Sequence, residues 1–347
     1  NIKDKNVLIT GAGGSIGSEL SLQILKKFPK KLIVLDISEF SLYNIDAELK
    51  NINQNSRYIK SKNIISALGS VLDANLIERI IDKNNINTVY HCAAYKHVPL
   101  VENNFVEGLR NNIEGTKNLL DISVNCKVEN FTLISTDKAV RPTNIMGASK
   151  RLAELICLNK SKVYKDININ IVRFGNVLNS SGSVIPLFKK QILAGGPVTV
   201  THPEMTRFFM TISEAAQLVI QASALDNSNG EIYVLDMGKP VKITDLAIKM
   251  INLNGFNYTF KDEINKQDKL ININFIGIRN GEKLYEELFY GINSESTLHP
   301  KILKSRESNN INNLEDILIN LKKVQNTYEY NDTKNLLIKY DLITMDP

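Results

Sequence analysis

Two short stretches of this chain carry residue types that could act together. The first is Thr10-Gly11-Ala12-Gly13-Gly14-Ser15-Ile16-Gly17, which follows the apolar run Asn6–Thr10 and opens a helical pattern. In that setting Gly11 permits a tight turn, and Gly14 lets backbone approach a pyrophosphate. Gly17 lets the helix pack close to the strand. Free N–H groups around Ser15 and Ile16, with the helix dipole, favour an anion there. The plainer alternative is a glycine-rich turn that holds nothing. The second stretch is Ser135-Thr136-Asp137-Lys138, followed eight residues later by Met146-Gly147-Ala148-Ser149-Lys150. A carboxyl and an amine side by side can give and take protons, the amine only where burial or a nearby cation lowers its affinity from about 10.4. Thr and Asp are also good helix N-caps, so these residues could equally open a helix with solvated charges.

Asp36 ends the second apolar run, 19 residues after Gly17. A carboxylate there can accept hydrogen bonds from both adenosine ribose hydroxyls and would repel a 2′-phosphate. Ile37-Ser38-Glu39-Phe40 bring no arginine to pair with such a phosphate. The expected cofactor is therefore NAD rather than NADP, with Ser38 beside the ribose. A strand-ending Asp in an ordinary turn is the alternative.

The elements that must position these residues follow a regular alternation. Lys31–Asp36, Thr88–Ala93, Asn130–Ser135 and Ile169–Arg173 read as buried strands, and Tyr58–Ile59 as a short one. Ser18–Lys27, Leu42–Leu49 and Asn75–Asp82 read as helices between them. Continuous apolar strands separated by helices predict an α/β fold, a Rossmann-type doubly wound parallel sheet. After about Gly175 Gly and Pro cluster, then a helix (Ser213–Ala224) and a strand (Ile232–Asp236) return. From Pro240 the chain reads as polar and helix-rich, and Leu314, Ile317, Leu318 and Leu321 mark an amphipathic helix in the tail. The expected division is a dinucleotide-binding domain of residues 1–177 plus about 213–236. A smaller, mixed substrate-binding lobe would take about 178–212 plus 237–347.

Composition narrows the class. The 347 residues are 43% hydrophobic and 23% charged, which excludes a wholly disordered chain. A net charge of +5 over this length does not call for nucleic acid and is compatible with small anionic ligands. Three cysteines (Cys92, Cys126, Cys157) provide no disulfide framework and fit a reducing compartment. They share no metal-ligand spacing with the four histidines, so no metal is expected. No apolar run reaches the ~18–20 residues of a membrane span. The chain starts without Met or a signal peptide, which leads to the expectation of a fragment whose N-terminal membrane region has been removed.

The motifs together resemble the extended short-chain dehydrogenase/reductases. There a Ser or Thr follows the strand, and a Tyr-x-x-x-Lys pair shares one face of the next helix. Lys150 matches, but the Tyr position holds Met146, which has no acidic proton. The segments Gly13–Leu20, Lys96–Glu102, Ser135–Lys150, Arg173–Phe188, Met205–Met210 and Arg279–Leu288 are similar to the bacterial UDP-N-acetylglucosamine 4,6-dehydratases. The Met places the resemblance with their long, membrane-anchored branch of the N-glycosylation pathway, at the cytoplasmic face of the inner membrane. It implies three steps: hydride leaves sugar C4 for NAD, water is eliminated across C5–C6, and the hydride returns to C6. The cofactor is thereby recycled.

The same resemblance implies roles. Lys138 would be the C5 base and Asp137 the C6 acid, with Thr136 hydrogen-bonding O4 and Lys150 holding the nicotinamide ribose. The group that deprotonates the C4 hydroxyl is either Asp137 or a water relayed through Thr136. Met146 would fill the vacated Tyr volume against the nicotinamide, beside Val177. Ser70, Val71, Ala93 and Ala94 would surround the adenine. Arg279 would bind the diphosphate and Glu282 the uridine ribose. Asn176, Ser181, Gly182, Ser183 and Val184 would line the sugar-nucleotide site, and Lys96 and Asn112 would face the sugar or the nicotinamide. Arg207 is expected on the nucleotide or in a structural salt bridge, and His97 as a structural histidine. The expected partners are UDP-N-acetylglucosamine and a second copy of the chain, with no nucleic acid. A nucleotide-sugar epimerase and an inactive dinucleotide sensor are the competing functions.

Overall fold

A computed structural model describes residues 2–55, 63–225, 229–261, 269–291, 294–307 and 313–344. In chain order the first half runs β1 (Asn6–Thr10), α1 (Ser15–Leu25), β2 (Lys31–Asp36), α2 (Glu39–Asn55), β3 (Ile64–Leu68), α3 (Ala74–Asn84), β4 (Thr88–His91), α4 (Gly115–Asn125), β5 (Asn130–Ile134), α5 (Ile145–Val163) and β6 (Asn168–Arg173). The strand expected at Tyr58–Ile59 lies outside the described residues. The second half contains α6 (Val184–Leu193), β7 (Val198–Val200), α7 (Ile212–Ala222), β8 (Glu231–Leu235), α8 (Ile243–Leu253), β9 (Asn257–Thr259), β10 (Leu270–Phe275), β11 (Ser294–Ser296), β12 (Ile302–Ser305), α9 (Leu314–Gln325) and α10 (Tyr330–Lys339).

Nine strands form the main sheet in the order β11-β12-β8-β6-β5-β4-β1-β2-β3. From β3 to β8 every pairing is parallel, and only the edge pairings β8-β12 and β12-β11 are antiparallel. The inner strands are buried on both faces, because each crossover helix lays its apolar stripe on one side or the other, while the edge strands β3 and β11 are largely exposed. One core gathers Leu8, Val89, Phe131, Leu152 and Ile171, and the opposite core gathers Ile9, Leu20, Val34, Tyr90 and Val219. The expected doubly wound α/β architecture is what the chain adopts. The order reverses between β1 and β4, and ligand crevices open at the strand C-termini of such a switch point.

A third core (Phe188, Val198, Ile243, Ile251, Ile271) sits under the small parallel sheet β9-β10-β7 and helices α6 and α8. Residues beyond Pro240 are thus mixed rather than helix-rich. The short alternating run Leu270–Phe275 is a strand that buries Ile271 and Ile273. Residues 302–307 and 313–343 leave this small core. β12 pairs with β8, and Leu314, Ile317, Leu321 and Leu337 join the core around Leu152 and Ile156 of α5. Late position in the chain therefore does not place the tail in the small lobe, because its apolar stripe is covered on α5. No helix among the described residues is long and apolar enough to cross a membrane.

Candidate active site

The crevice at the switch point is a cavity of about 560 Å³ between the main sheet and the small one. The glycine turn forms one end. Gly11 has φ +65°, and a Cβ there would lie 2.6 Å from the Ala93 nitrogen. A Cβ on Gly17 would lie 2.1 Å from the Gly11 carbonyl oxygen. Around Gly14 the protein leaves room, with only the Gly11 oxygen at 3.3 Å. Gly14 caps α1 without a side-chain hydrogen bond, so the first helical turn presents bare N–H groups. Helix α1 starts at Ser15 rather than Ser18 because Gly14 takes the cap.

Asp36 lies beneath this turn. Its carboxylate accepts from the Gly13 N–H and the Ser38 N–H, each at 2.8 Å. One lone pair on each oxygen is left for ribose hydroxyls, so the residue shapes the loop while remaining able to bind. Asp36, Ser38, Ser70, Val71 and Ala93 are not on the cavity wall. Ser70 accepts from Leu72 N–H, and Val71 packs against Gly115. Ala94, Lys96, Met146, Lys150 and Val177 are on it, as are Ser15 and Ile16.

At the far end of β5, Thr136 caps the turn Asp137–Ala139, accepting from the Lys138 N–H at 3.4 Å. Asp137 is 0% exposed and stays behind the cavity wall. Its Oδ1 accepts from Thr136 Oγ1 at 2.8 Å and from Lys138 Nζ at 3.0 Å, while Oδ2 is buried without a partner. Thr136 and Lys138 face the cavity, so Asp137 meets it through their polar atoms. Burial pulls the Lys138 ammonium down, but Asp137 and Glu286 outweigh it, with Arg207 opposing them, and the net shift is upward. The condition set for this amine, a lowering by burial or a cation, is not what its surroundings give, since it sits between two carboxylates. Glu286 Oε1 lies 3.5 Å from Lys138 Nζ and 3.8 Å from Arg207 Nε.

Lys150 donates to the Ile134 carbonyl at 2.7 Å, and burial brings its amine down to about 8. Met146 stands one turn before it on the same wall, buried and part of the core. Ser135 donates to Glu154, which anchors the buried Arg173 at 2.6 Å. Arg173 also pairs with Glu307, and Arg151 with both glutamates.

The substrate-side expectations divide. Lys96, Asn176, Gly182, Ser183, Val184, Arg207, Arg279 and Glu282 line the cavity. Ser183 caps α6 with no side-chain bond, and its hydroxyl is buried without a partner. A second helix N-terminus therefore opens into the same space. Arg207 donates to the carbonyls of Thr206, Lys283 and Leu284 and pairs with Glu282 at 3.5 Å, so it is structurally held as well as exposed to the cavity. Two of the expected residues do not reach the wall. Asn112 is off the wall, its amide spent on the Tyr95 backbone and Ser149. Ser181 is off the wall too, because its N–H donates to Ser15 Oγ and ties this loop to the phosphate turn. His97 packs against Gly182, whose Cβ would lie 2.4 Å from the ring, and burial with Lys96 lowers its proton affinity.

The segment Arg279–Glu287 is strapped to the loop before α5. Thr143 and Asn144 donate to the Gly281 carbonyl at 2.9 and 2.8 Å, and Lys283 donates to Val140. Gly281 has φ +75°, and a Cβ would meet Asn144. Sequence reasoning missed Glu286 and Tyr95. Glu286 lies within the Arg279–Leu288 motif, but nothing in its spacing marks it as facing Lys138.

The family described as polysaccharide biosynthesis protein matches residues 7–307. The chain belongs to that family. Family relatives include the capsular polysaccharide biosynthesis protein CapD of Staphylococcus aureus, 48% identical over 86% of this chain and 47% of CapD. A UDP-glucose 4-epimerase of Rickettsia rickettsii is 35% identical over 82% of this chain and 77% of its own. Among solved structures, Pen from Bacillus thuringiensis superposes with a TM-score of 0.76 at 33% identity, covering 88% of this chain and 89% of Pen. The chain spans about half the length of CapD. The family's motifs and sheet here are those of the extended short-chain dehydrogenase/reductases. Among the described residues no cluster of His, Cys, Asp and Glu could hold a metal.

Proposed function

We propose that this chain is a nucleotide-sugar-modifying enzyme, and specifically a UDP-N-acetylglucosamine 4,6-dehydratase working with NAD. The observation that carries this is the Asp137–Lys138 pair at the wall of the cavity that also holds the glycine turn, Met146 and Lys150.

The residues present fit the dinucleotide. The turn excludes any Cβ at Gly11 and Gly17, leaves space at Gly14, and ends in an uncapped helix, with Asp36 beneath. Bound there, NAD would take a hydride from the sugar and return it. Lys150 would hold the nicotinamide ribose, and Met146 would fill the space beside it. Arg279 and the α6 N-terminus at Ser183 would take the diphosphate, and Glu282 the uridine ribose.

The protons then balance within the pair. Asp137, ionised, takes the C4 hydroxyl proton through Thr136 Oγ1 and later delivers it to the departing C6 hydroxyl. Lys138, neutral in the working state, takes the C5 proton and gives it back. One base acting on one face returns the proton where it came from, so C5 keeps its configuration. Resting Lys138 is an ammonium, so a proton must leave to solvent first, which gives turnover a base-dependent limb.

The Rickettsia relative favours epimerisation as the second reading. Met146 lacks the acidic proton of the usual Tyr base, which disfavours it. Incubation with UDP-N-acetylglucosamine separates them: a 4-keto-6-deoxy product supports dehydration, and an epimer that keeps O6 overturns it. In the same proposal the main sheet is the dinucleotide-binding part, and residues 178–212 with 237–291 are the sugar-nucleotide lobe. The protein works as a homodimer, which sedimentation of the NAD-loaded chain tests.

A further inference from the structure

Four charged side chains from three segments stand in a row of alternating sign: Arg207, Glu286, Lys138 and Asp137. Three of them already have a part in substrate binding or proton transfer. Glu286 has none, yet its side chain is only 4% exposed. It lies 3.5 Å from the Lys138 amine, and its second oxygen is buried without a partner among the described residues. A buried carboxylate is costly unless it serves a nearby cation, and Arg207 has carbonyls of its own.

We propose that Glu286 is a positioning residue that fixes the direction and the charge state of Lys138. This rests on the dehydratase reading only in taking Lys138 as the C5 base. The groups facing Lys138 are Asp137 from its own turn, Glu286 from the Arg279–Glu287 segment, Arg207 from the small lobe, and Lys96 from the loop after β4. When Asp137 takes up the C4 proton, its charge disappears. Among the described residues Glu286 is then the only anion left on the amine, against two cations. The proton affinity of Lys138 during elimination is therefore set by Glu286. The Lys138 side chain is 20% exposed, so the cavity leaves it open to small reagents.

The test is the pH dependence of Lys138 acylation by acetic anhydride in the NAD-loaded protein, read by mass spectrometry of the labelled peptide. In Glu286→Gln the midpoint should fall by about half a pH unit or more, because one of two carboxylates is lost while Arg207 and Lys96 remain. Glu286→Asp, with a carboxylate drawn back from the amine, should give a smaller fall. Glu287→Gln, which alters the neighbouring carboxylate paired with Arg141, should leave the midpoint in place. With UDP-N-acetylglucosamine, the base limb of kcat should move the same way in Glu286→Gln, and KM should change less than kcat. An unchanged labelling midpoint in folded Glu286→Gln or Glu286→Asp overturns the proposal. If wild type is inert toward the sugar while the midpoint still moves, only the dehydratase reading fails.

Discussion

The glycine turn and the charge row at Lys138 are built in opposite ways. The turn is made from eight consecutive residues, and backbone contacts inside that stretch, with the Ala93 backbone, dictate its shape. The charge row is assembled from residues 137, 138, 207 and 286, and none of its pairings except Asp137–Lys138 is local. A local device of this kind excludes a Cβ at Gly11, Gly13 and Gly17, and one side chain from outside the stretch, Asp36, ties it down. A distributed device depends on the straps that hold its segments together, here Thr143 and Asn144 on Gly281. Mutations in the turn should therefore act on binding and folding together. Mutations in the row should leave the fold and the bound dinucleotide intact while stopping chemistry.

The largest expected effect lies in the row. Asp137→Asn should lower turnover on the order of 10³-fold or more while leaving NAD content unchanged. It should also abolish the rise in nicotinamide absorbance when substrate is added. If that absorbance still rises, Asp137 is not the group that takes the C4 proton.

Next comes the buried network under the row. Burial alone would push the Glu154 carboxyl up, but Arg173 and Arg151 outweigh it and hold it at about 2 against an ordinary 4.5. Its contribution to stability is complete above pH 4.5 and is lost as pH falls from 4.5 toward 2. Glu154→Gln leaves Arg173 buried and half-paired, which should cost about 3–5 kcal/mol in denaturant unfolding at neutral pH. Wild type should lose stability steeply through that acid window, and the variant should show a shallower loss.

The turn supplies the third test. Gly17→Val drives a side chain into the Gly11 carbonyl and should cost about 3 kcal/mol, with loss of NAD from the purified protein. Retained NAD would show that the close packing is not needed. The smallest effect is expected at the cavity rim, where Arg279 is exposed. Arg279→Ala should raise KM for UDP-N-acetylglucosamine about ten- to a hundred-fold with kcat little changed.

The same contrast decides what could be read from residues alone. The parallel sheet and the glycine turn were legible, because each is written in contiguous residues with a known periodicity or turn chemistry, whereas Asp137 and Lys138 read equally as a helix cap and took their roles from the resemblance alone. The antiparallel edge β12-β11 and the return of the tail to α5 were not. They depend on which apolar face remains uncovered after the sheet has formed. Asn112 was misplaced because an Asn beside the site carries no mark that its amide is spent on Tyr95. Glu286 was missed because its partners are about 80 and 150 positions away in sequence, beyond any local pattern. The upward shift of Lys138 was hidden for the same reason, since one of its two carboxylates is Glu286.

The central claim is that one pair of side chains expels water from a hexose and returns a proton to C5 on the face it left, the Lys138 amine exchanging with solvent in between. Turnover of UDP-N-acetylglucosamine in deuterated water, followed by NMR of the sugar, tests it most directly. The account predicts a 4-keto-6-deoxy sugar carrying deuterium at C5 with its original configuration. A sugar that retains O6, or a C5 of inverted configuration, would contradict it.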